Sequence, residues 1–301
     1  MKLHNLKFLF ACLLAVAWAM PAWGVTISPG NLFQSDTSGH VYQYTPAGAQ
    51  TTFASGTFDT LGLAFDTGGN LFAGDLHSTN IFKFAPDGAQ SNFATGITNG
   101  ATGLAFDANG NLFAGNGDPG GNILKFDTAS PPNQTTFGSG LINPLGLAFD
   151  TSGNLYVADQ EAGNIYKYDP AGNRTTFASN LGDPYGEAFD ANGNLFVSDL
   201  SGGIIYKIPT AGGSATPFAT GLIEPLGLAI DSDGNIFVGD LGAGAIYKYT
   251  PGGSQSIFAM GVNPTFLAFA TVPEPTSLLL AAFASCGVIL IRARRNRATH
   301  C

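Results

Sequence analysis

Residues 145–159 read LGLAFDTSGNLYVAD and decide the fold, because close copies of this stretch recur along the chain. The copies are LGLAFDTGGNLFAGD (61–75), TGLAFDANGNLFAGN (102–116), YGEAFDANGNLFVSD (185–199) and LGLAIDSDGNIFVGD (226–240). Successive copies begin 41, 43, 40 and 41 residues apart. A fixed period of this length is typical of an architecture in which each copy is one supersecondary unit.

Each unit contains enough sequence for four strands. An apolar strand, an Asp-x-x-Gly-Asn turn and a second apolar strand are followed by an aromatic stripe such as NIYKY (164–168) and a short run such as TTFAS (175–179). Apolar residues alternate at period two, which predicts strands, and the glycine turns predict antiparallel hairpins. Such a sheet buries both faces only when sheets stack radially, so the sequence predicts an all-β propeller with four antiparallel strands per blade.

The two ends of the repeat region complement each other. Residues 29–58 contain strands two, three and four without a strand one, whereas residues 265–270 (TFLAFA) match a strand one that nothing follows. One split blade and five whole blades make six, and the 247 residues of 25–271 give about 41 for each. We therefore predict a six-bladed ring that is closed by pairing of its N- and C-terminal strands, which also removes two exposed sheet edges.

Charge and cysteine content exclude several classes of protein for this region. Residues 25–271 carry 6 Lys or Arg against 20 Asp or Glu, a balance that argues against nucleic-acid binding. The three cysteines, Cys12, Cys286 and Cys301, lie outside it. A disulfide scaffold and a thiolate metal site are therefore excluded in the propeller.

The N-terminal segment 1–24 has the pattern of a secretory signal peptide. Lys2 and Lys7 precede the apolar run 8–20, and residues 22–24 (AWG) place small residues before a cleavage point. We expect removal by signal peptidase and export across the inner membrane. A short buried helix is the alternative interpretation.

The C-terminal segment 272–301 combines three elements. Pro273, Glu274 and Pro275 precede fifteen apolar or small residues (277–291). An arginine cluster follows: Arg292, Arg294, Arg295 and Arg297. As a helix the apolar run would span about 22 Å, less than the ~30 Å hydrocarbon core of a bilayer.

This segment resembles the PEP-CTERM sorting signal of Gram-negative bacteria. The resemblance implies transient membrane insertion, cleavage near Pro273-Glu274-Pro275 by an exosortase-type enzyme, and release to the cell surface or the extracellular polysaccharide. The arginines would stay cytoplasmic. A plain tail anchor is the alternative, and both interpretations place the propeller outside the cytoplasm.

The repeated P-x-G-L-A-F-D-x-x-G-N-L-Y-V-A-D pattern over 27–270 resembles the NHL repeat and the related gluconolactonase and streptogramin-lyase propellers. The resemblance to gluconolactonase-type enzymes implies a divalent metal over the channel. Its ligands would include a Glu near the start of the chain and an Asn at the x position of P-x-G. Here the first Glu is Glu161, and Asn is absent from all six x positions: Leu61, Thr102, Leu145, Tyr185, Leu226 and Thr265. The lyases rely on histidine, and the repeat region has only His40 and His77. We therefore predict no metal and no other cofactor, and binding of a calcium ion in the channel is kept as an alternative.

Two repeated features are assigned structural roles. The turn acids, such as Asp231, resemble the start of a calcium loop, but Gly242 occupies the position of the required bidentate Glu. We interpret them as turn caps. The acids that end strand two, such as Asp159, are expected to accept hydrogen bonds from backbone N–H groups of the following loop.

One departure from the repeat is the candidate site. Glu187 stands where the other whole repeats have Leu, on an inner strand beside Tyr185. We predict that Tyr185 and Glu187 bind a small polar ligand or a cation in the channel mouth, and a purely structural glutamate is the alternative. The leading hypothesis is a non-catalytic binding or matrix protein. The others are a diverged lactonase or lyase and a structural surface protein without a ligand.

Overall fold

A computed structural model describes residues 26–56, 60–117 and 120–270. These residues form twenty-four strands and no helix. The strands make six four-stranded antiparallel sheets, so the predicted all-β, six-bladed propeller is confirmed. The predicted signal-peptide and sorting-tail helices lie outside the described residues. Among the described residues, no helix has the length and apolarity needed to cross a membrane.

The blades are numbered in chain order, and each uses a consecutive set of strands except the first. Blade 1 consists of β1 (Leu32–Ser35), β2 (His40–Tyr44), β3 (Gln50–Ser55) and β24 (Leu267–Phe269). Blade 2 consists of β4 (Thr60–Phe65), β5 (Leu71–Asp75), β6 (Ile81–Phe84) and β7 (Gln90–Ala94). Blade 3 consists of β8 (Leu104–Phe106), β9 (Leu112–Asn116), β10 (Gly121–Phe126) and β11 (Gln134–Leu141).

The remaining three blades follow the same plan. Blade 4 consists of β12 (Pro144–Phe149), β13 (Leu155–Asp159), β14 (Asn164–Tyr168) and β15 (Arg174–Ala178). Blade 5 consists of β16 (Pro184–Phe189), β17 (Leu195–Asp199), β18 (Ile204–Ile208) and β19 (Thr216–Thr220). Blade 6 consists of β20 (Pro225–Ile230), β21 (Ile236–Asp240), β22 (Ala245–Tyr249) and β23 (Gln255–Met260).

The ring closes where the sequence predicts. In blade 1, β24 pairs antiparallel with β1 in the register Leu32↔Phe269, and the backbone N–H of Thr265 donates to the carbonyl of Ser35 at 2.9 Å. The inner strands β4, β8, β12, β16, β20 and β24 contact one another in a closed circle. Pairing of the first and last strands of the propeller is therefore confirmed, and the inner strands surround a central channel.

The core lies between blades and is built from a repeated aromatic cluster. Tyr156 of β13 packs edge-on against Phe177 of its own blade and Phe189 of the next, with both pairs of ring centroids 4.8 Å apart. The closing interface has the same arrangement, because Phe237 packs against Phe258 and Phe269. Aromatic pairs in this geometry stabilise a fold beyond their buried area. The closing blade interface is thus packed like an internal one.

The turn acids cap their hairpins. Asp231 accepts backbone N–H groups from Asp233 at 3.0 Å and Asn235 at 2.8 Å, and the Asn235 side chain donates to its other oxygen at 2.8 Å. Equivalent bonds surround four further acids: Asp66, Asp107, Asp150 and Asp190. The turn interpretation is confirmed, because the carboxylate oxygens are already used by the turn.

The acids that end the second strands hold loops at one end of the channel. For Asp159 the predicted partner is wrong, because among the described residues it accepts from Ile142 and Asn143 in the loop that precedes β12 and not from the following loop.

Asp199 and Asp240 link both loops. Asp199 accepts a hydrogen bond from the backbone N–H of Gly202 in the following loop, as predicted, at 3.0 Å. It also accepts from Gly182 and Asp183 in the loop that precedes β16, each at 3.0 Å. The sequence did not indicate this second loop, because strand pairing within the blade brings it alongside. These bonds fix the loops around the channel mouth.

Candidate functional site in the central channel

The inner strands place six equivalent side chains around the channel axis. Five of these are leucines: Leu63, Leu104, Leu147, Leu228 and Leu267. The sixth is Glu187 of β16. Together with Gly146, Gly186 and Phe266 they line a space of about 60 Å³, here called the inner chamber. The lining of the inner chamber is therefore apolar except for one carboxyl group, that of Glu187.

Glycine sets how closely the inner strands approach. A Cβ atom on Gly103 would lie 1.8 Å from the carbonyl oxygen of Leu145 on the next blade, and one on Gly62 would lie 2.1 Å from that of Thr102. The five whole repeats all have glycine at this position, but blade 1 has Phe266. Phe266 is buried and borders the inner chamber.

The rings of Phe266 in blade 1 and Tyr185 in blade 5 contact each other, although blade 6 lies between these blades. Their ring centroids are 5.4 Å apart and their planes are inclined by 42°. Phe266 lines the inner chamber, whereas Tyr185 lines a larger pocket at the channel end. The ring contact therefore lies at the boundary between the two spaces. Three departures from the repeat, Tyr185, Glu187 and Phe266, converge on this point.

The larger space is here called the mouth pocket. It has a volume of about 730 Å³, and its apolar lining includes Leu61, Leu145 and the ring of Tyr185. Polar groups come from the loops: Asn99, Asn143, Gln160 and Glu161. Asn143 Nδ2 donates to Gln160 Oε1 at 2.8 Å, which holds two of these loops together. An apolar lining with a few positioned polar groups is typical of small-molecule binding sites.

Glu187 is electrostatically unusual. The residue is 8% exposed, and neither carboxyl oxygen has a hydrogen-bond partner among the described residues. Burial is the larger influence and raises the pKa of Glu187 well above its ordinary value, while the backbone N–H of Ala148, which lies nearby but outside hydrogen-bonding geometry with either oxygen, acts in the opposite direction. The carboxyl group is therefore neutral at pH values where an exposed glutamate is ionised.

Comparison with known proteins places the repeat in a described family. Residues 78–239 match a protein-family profile described as "Repeat of unknown function (DUF6923)". The chain belongs to this family. The matched part extends from the loop before β6 to β21, so the DUF6923 repeat coincides with most of blades 2 to 6. A search of curated proteins found no match.

Solved structures similar to this DUF6923 chain share its fold at low sequence identity. One is a chain in the crystal structure of a nidogen–laminin complex, with a TM-score of 0.73 and 20% identity over 81% of this chain and 99% of that chain. A streptogramin B lyase has a TM-score of 0.64 and 14% identity over 83% and 90%. Virginiamycin B lyase from Staphylococcus aureus has a TM-score of 0.56 and 13% identity over 69% and 73%.

The channel of this DUF6923 propeller does not suit a divalent metal of the gluconolactonase type. Among the described residues, no group of three or more His, Cys, Asp or Glu side chains could hold a metal ion. The inner chamber offers the single carboxyl of Glu187 within a ring of leucines. Divalent ions need several oxygen or nitrogen ligands. His40 and His77 are not among the described residues that line either space.

The predicted candidate residues lie on adjoining levels of the channel. Tyr185 is in the mouth pocket, and Glu187 lies deeper, in the inner chamber. Sequence reasoning missed Phe266, which it used only to count blades. A signal was available, because Phe266 is the one residue other than glycine among the six strand-one copies.

Proposed function

We propose that this protein is an exported, non-catalytic binding propeller of the cell surface or extracellular matrix, and that the mouth pocket holds its ligand. The observation that carries this proposal is that Tyr185 of the mouth pocket contacts Phe266, which lines the adjoining inner chamber together with Glu187. In a repeat protein, residues that every blade shares maintain the ring. Residues that differ and meet at one place are the candidates for recognition.

The ligand class follows from the pocket lining. Tyr185 offers an aromatic face, and Asn143 and Gln160 offer amide donors and acceptors. A neutral, polyhydroxylated ligand such as an extracellular polysaccharide suits this combination. The acidic balance of residues 25–271 disfavours an anionic polysaccharide.

The test is titration of the purified full chain with cellohexaose, maltohexaose and oligogalacturonate. We expect binding of a neutral hexaose, with affinity reduced about tenfold by Tyr185→Ala and largely retained by Tyr185→Phe, which keeps the ring. Ile257→Ala is the control, since Ile257 is 61% exposed on the outermost strand of blade 6. Equal affinities for all three variants, or preference for oligogalacturonate, would contradict this site.

Export and display are the second part of the proposal. Segment 1–24 would be removed by signal peptidase, and segment 272–301 would insert transiently in the membrane until an exosortase-type enzyme cleaves near Pro273-Glu274-Pro275. Support comes from the sequence pattern of the two ends. We expect the combined change Pro273→Ala and Pro275→Ala to retain the chain in the membrane fraction of the cells that make it. Pro251→Ala, in an exposed turn, should be released as the unchanged protein is.

A diverged lactone hydrolase or lyase is the alternative function. The observation that favours it is the raised pKa of the buried Glu187 carboxyl, because a general acid must hold its proton at neutral pH. The other described residues lining the inner chamber are leucines, glycines and Phe266, so no second catalytic group accompanies it there. Turnover of a lactone panel that Glu187→Gln abolishes would favour the enzyme.

A further inference from the structure

The inner chamber holds an acid that its described surroundings leave uncompensated. Glu187 is buried, neither of its oxygens has a hydrogen-bond partner among the described residues, and the chamber walls carry no basic side chain there. An unpaired polar group in such a place destabilises a fold. The equivalent positions of the other blades avoid this cost with leucine.

The remaining chemistry of the chamber points to one kind of cation. A divalent metal lacks ligands, as described above. A primary ammonium group needs one counter-charge, hydrogen-bond acceptors for its N–H groups and a surface that tolerates its charge. Glu187 supplies the counter-charge and acceptors, and the ring of Phe266 supplies an aromatic face of the type that attracts organic cations.

We propose that the inner chamber is a binding site for a primary ammonium group, with Glu187 as its counter-charge and Phe266 as its aromatic wall. The inference goes beyond glycan binding in the mouth pocket and does not depend on it. An amino sugar bound in the mouth pocket could place its amine in the chamber, and a free alkylamine could occupy the chamber alone.

The proton balance gives the site a distinctive signature. When RNH₃⁺ binds, the neutral Glu187 carboxyl loses its proton to solvent, and the carboxylate then pairs with the ammonium. Binding therefore releases one proton and becomes tighter as pH rises, until Glu187 is ionised in the free protein. No other titratable side chain is among the described residues that line the chamber.

Size gives a second criterion. A chamber of about 60 Å³ has room for a group of a few heavy atoms. Methylammonium meets this limit and donates hydrogen bonds. Tetramethylammonium is bulkier and has no N–H group to donate to Glu187, so it serves as a matched control of equal charge.

The experiment measures the melting temperature of the full chain with 100 mM methylammonium, tetramethylammonium or potassium chloride, at pH 6 and pH 8. A ligand that binds only the folded state raises the melting temperature, and we expect methylammonium to give about 3 °C at pH 8 and less at pH 6. Glu187→Leu restores the repeat residue, and Glu187→Gln keeps the shape without the charge. Both should abolish the methylammonium-specific shift, whereas Glu224→Gln, an exposed acid, should retain it.

Three outcomes would overturn the inference. They are equal shifts with methylammonium and tetramethylammonium, a shift with potassium but none with methylammonium, and an unchanged methylammonium shift in Glu187→Leu. The result is separable from the hexaose titration, because that titration depends on Tyr185 and uses uncharged ligands. Glucosamine binding that glucose cannot reproduce and that Glu187→Leu removes would show that the two spaces act together.

Discussion

The inner strands of blades 5 and 6 have the same backbone and different chemistry. In β16, Pro184 pairs with Asp199 and Glu187 with Val197, with a register shift between them. In β20, Pro225 pairs with Asp240 and Leu228 with Val238, with the same shift. Glu187 and Leu228 are both buried and both border the inner chamber. The repeat thus determines where a side chain lies, and the individual residue determines what the channel can do.

Both blades have glycine as the third residue of the inner strand, Gly186 in β16 and Gly227 in β20. Replacing this glycine should have the largest effect on stability. A Cβ atom on Gly227 would lie 2.5 Å from Cα of Phe266 and 2.6 Å from the carbonyl oxygen of Thr265. Because both atoms belong to backbone, Gly227→Ala should lower the free energy of unfolding by about 3 kcal/mol or more. Urea unfolding measures this. Gly252→Ala is the control, because its Cβ would meet nothing closer than 3.9 Å.

Moving the acid from one blade to the other tests the comparison directly. Leu228→Glu would put a second uncompensated carboxyl group in the inner chamber and should lower the free energy of unfolding by about 3 kcal/mol. Combining it with Glu187→Leu leaves a single acid, now on blade 6, and should recover most of the loss. If the double variant is as unstable as Leu228→Glu alone, the two positions are not equivalent.

Removing the acid should stabilise the ring in a pH-dependent way. In the unfolded chain Glu187 ionises near its ordinary pKa of 4.5. In the folded state burial raises the pKa of Glu187, so the carboxyl group stays protonated to a higher pH. Between these two values the folded state binds one more proton, so the stability of the unchanged protein falls as pH rises.

The matched variant for this effect is Glu187→Leu. Its advantage in free energy of unfolding should be smallest below pH 4, grow through the interval above 4.5 and become constant above the folded pKa. Ile257→Ala, at an exposed residue without a titratable group, should show no such growth. Urea titrations at several pH values measure both, and a pH-independent difference would mean that Glu187 ionises normally.

The smallest effect concerns the acids at the ends of the second strands. In blade 3 Asn116 replaces the acid, and its Nδ2 donates to the carbonyl oxygens of Thr98 at 2.5 Å and Gly100 at 2.8 Å. Asn116→Asp would set a carboxylate against two carbonyl oxygens and should destabilise the fold by about 1–2 kcal/mol. Asp199→Asn should cost a similar amount, since it weakens the acceptor for Gly182 and Asp183. Thermal unfolding checks the pair.

Much of the fold could be predicted because five whole copies of the repeat show the same pattern of strands and turns. The period near 41 residues gave the blades, and residues 265–270 gave the closing strand that pairs with β1. Glu187 could be found as a departure from leucine at a position whose inner-strand location the pattern already indicated. The blade count, the closing strand and the position of Glu187 can all be read by comparing the copies of the repeat with one another.

The part that could not be predicted depends on contacts across the ring. Tyr185 and Phe266 are 81 residues apart in sequence, and their contact arises only because blades 5 and 1 both adjoin blade 6 in the closed ring. The second loop held by Asp199 was also missed, because the hydrogen bonds to Gly182 and Asp183 join segments on either side of a strand pair.

The most direct test of the account is the titration of the Glu187 carboxyl group by ¹³C NMR in glutamate-labelled full chain. The chain has only four glutamates, Glu161, Glu187, Glu224 and Glu274, and the signal missing from Glu187→Gln assigns the resonance. Burial among the leucines of the inner chamber predicts that this signal changes well above the ordinary glutamate pKa of 4.5. A Glu187 signal that changes at the ordinary glutamate pKa of 4.5 would contradict a buried acid in the inner chamber.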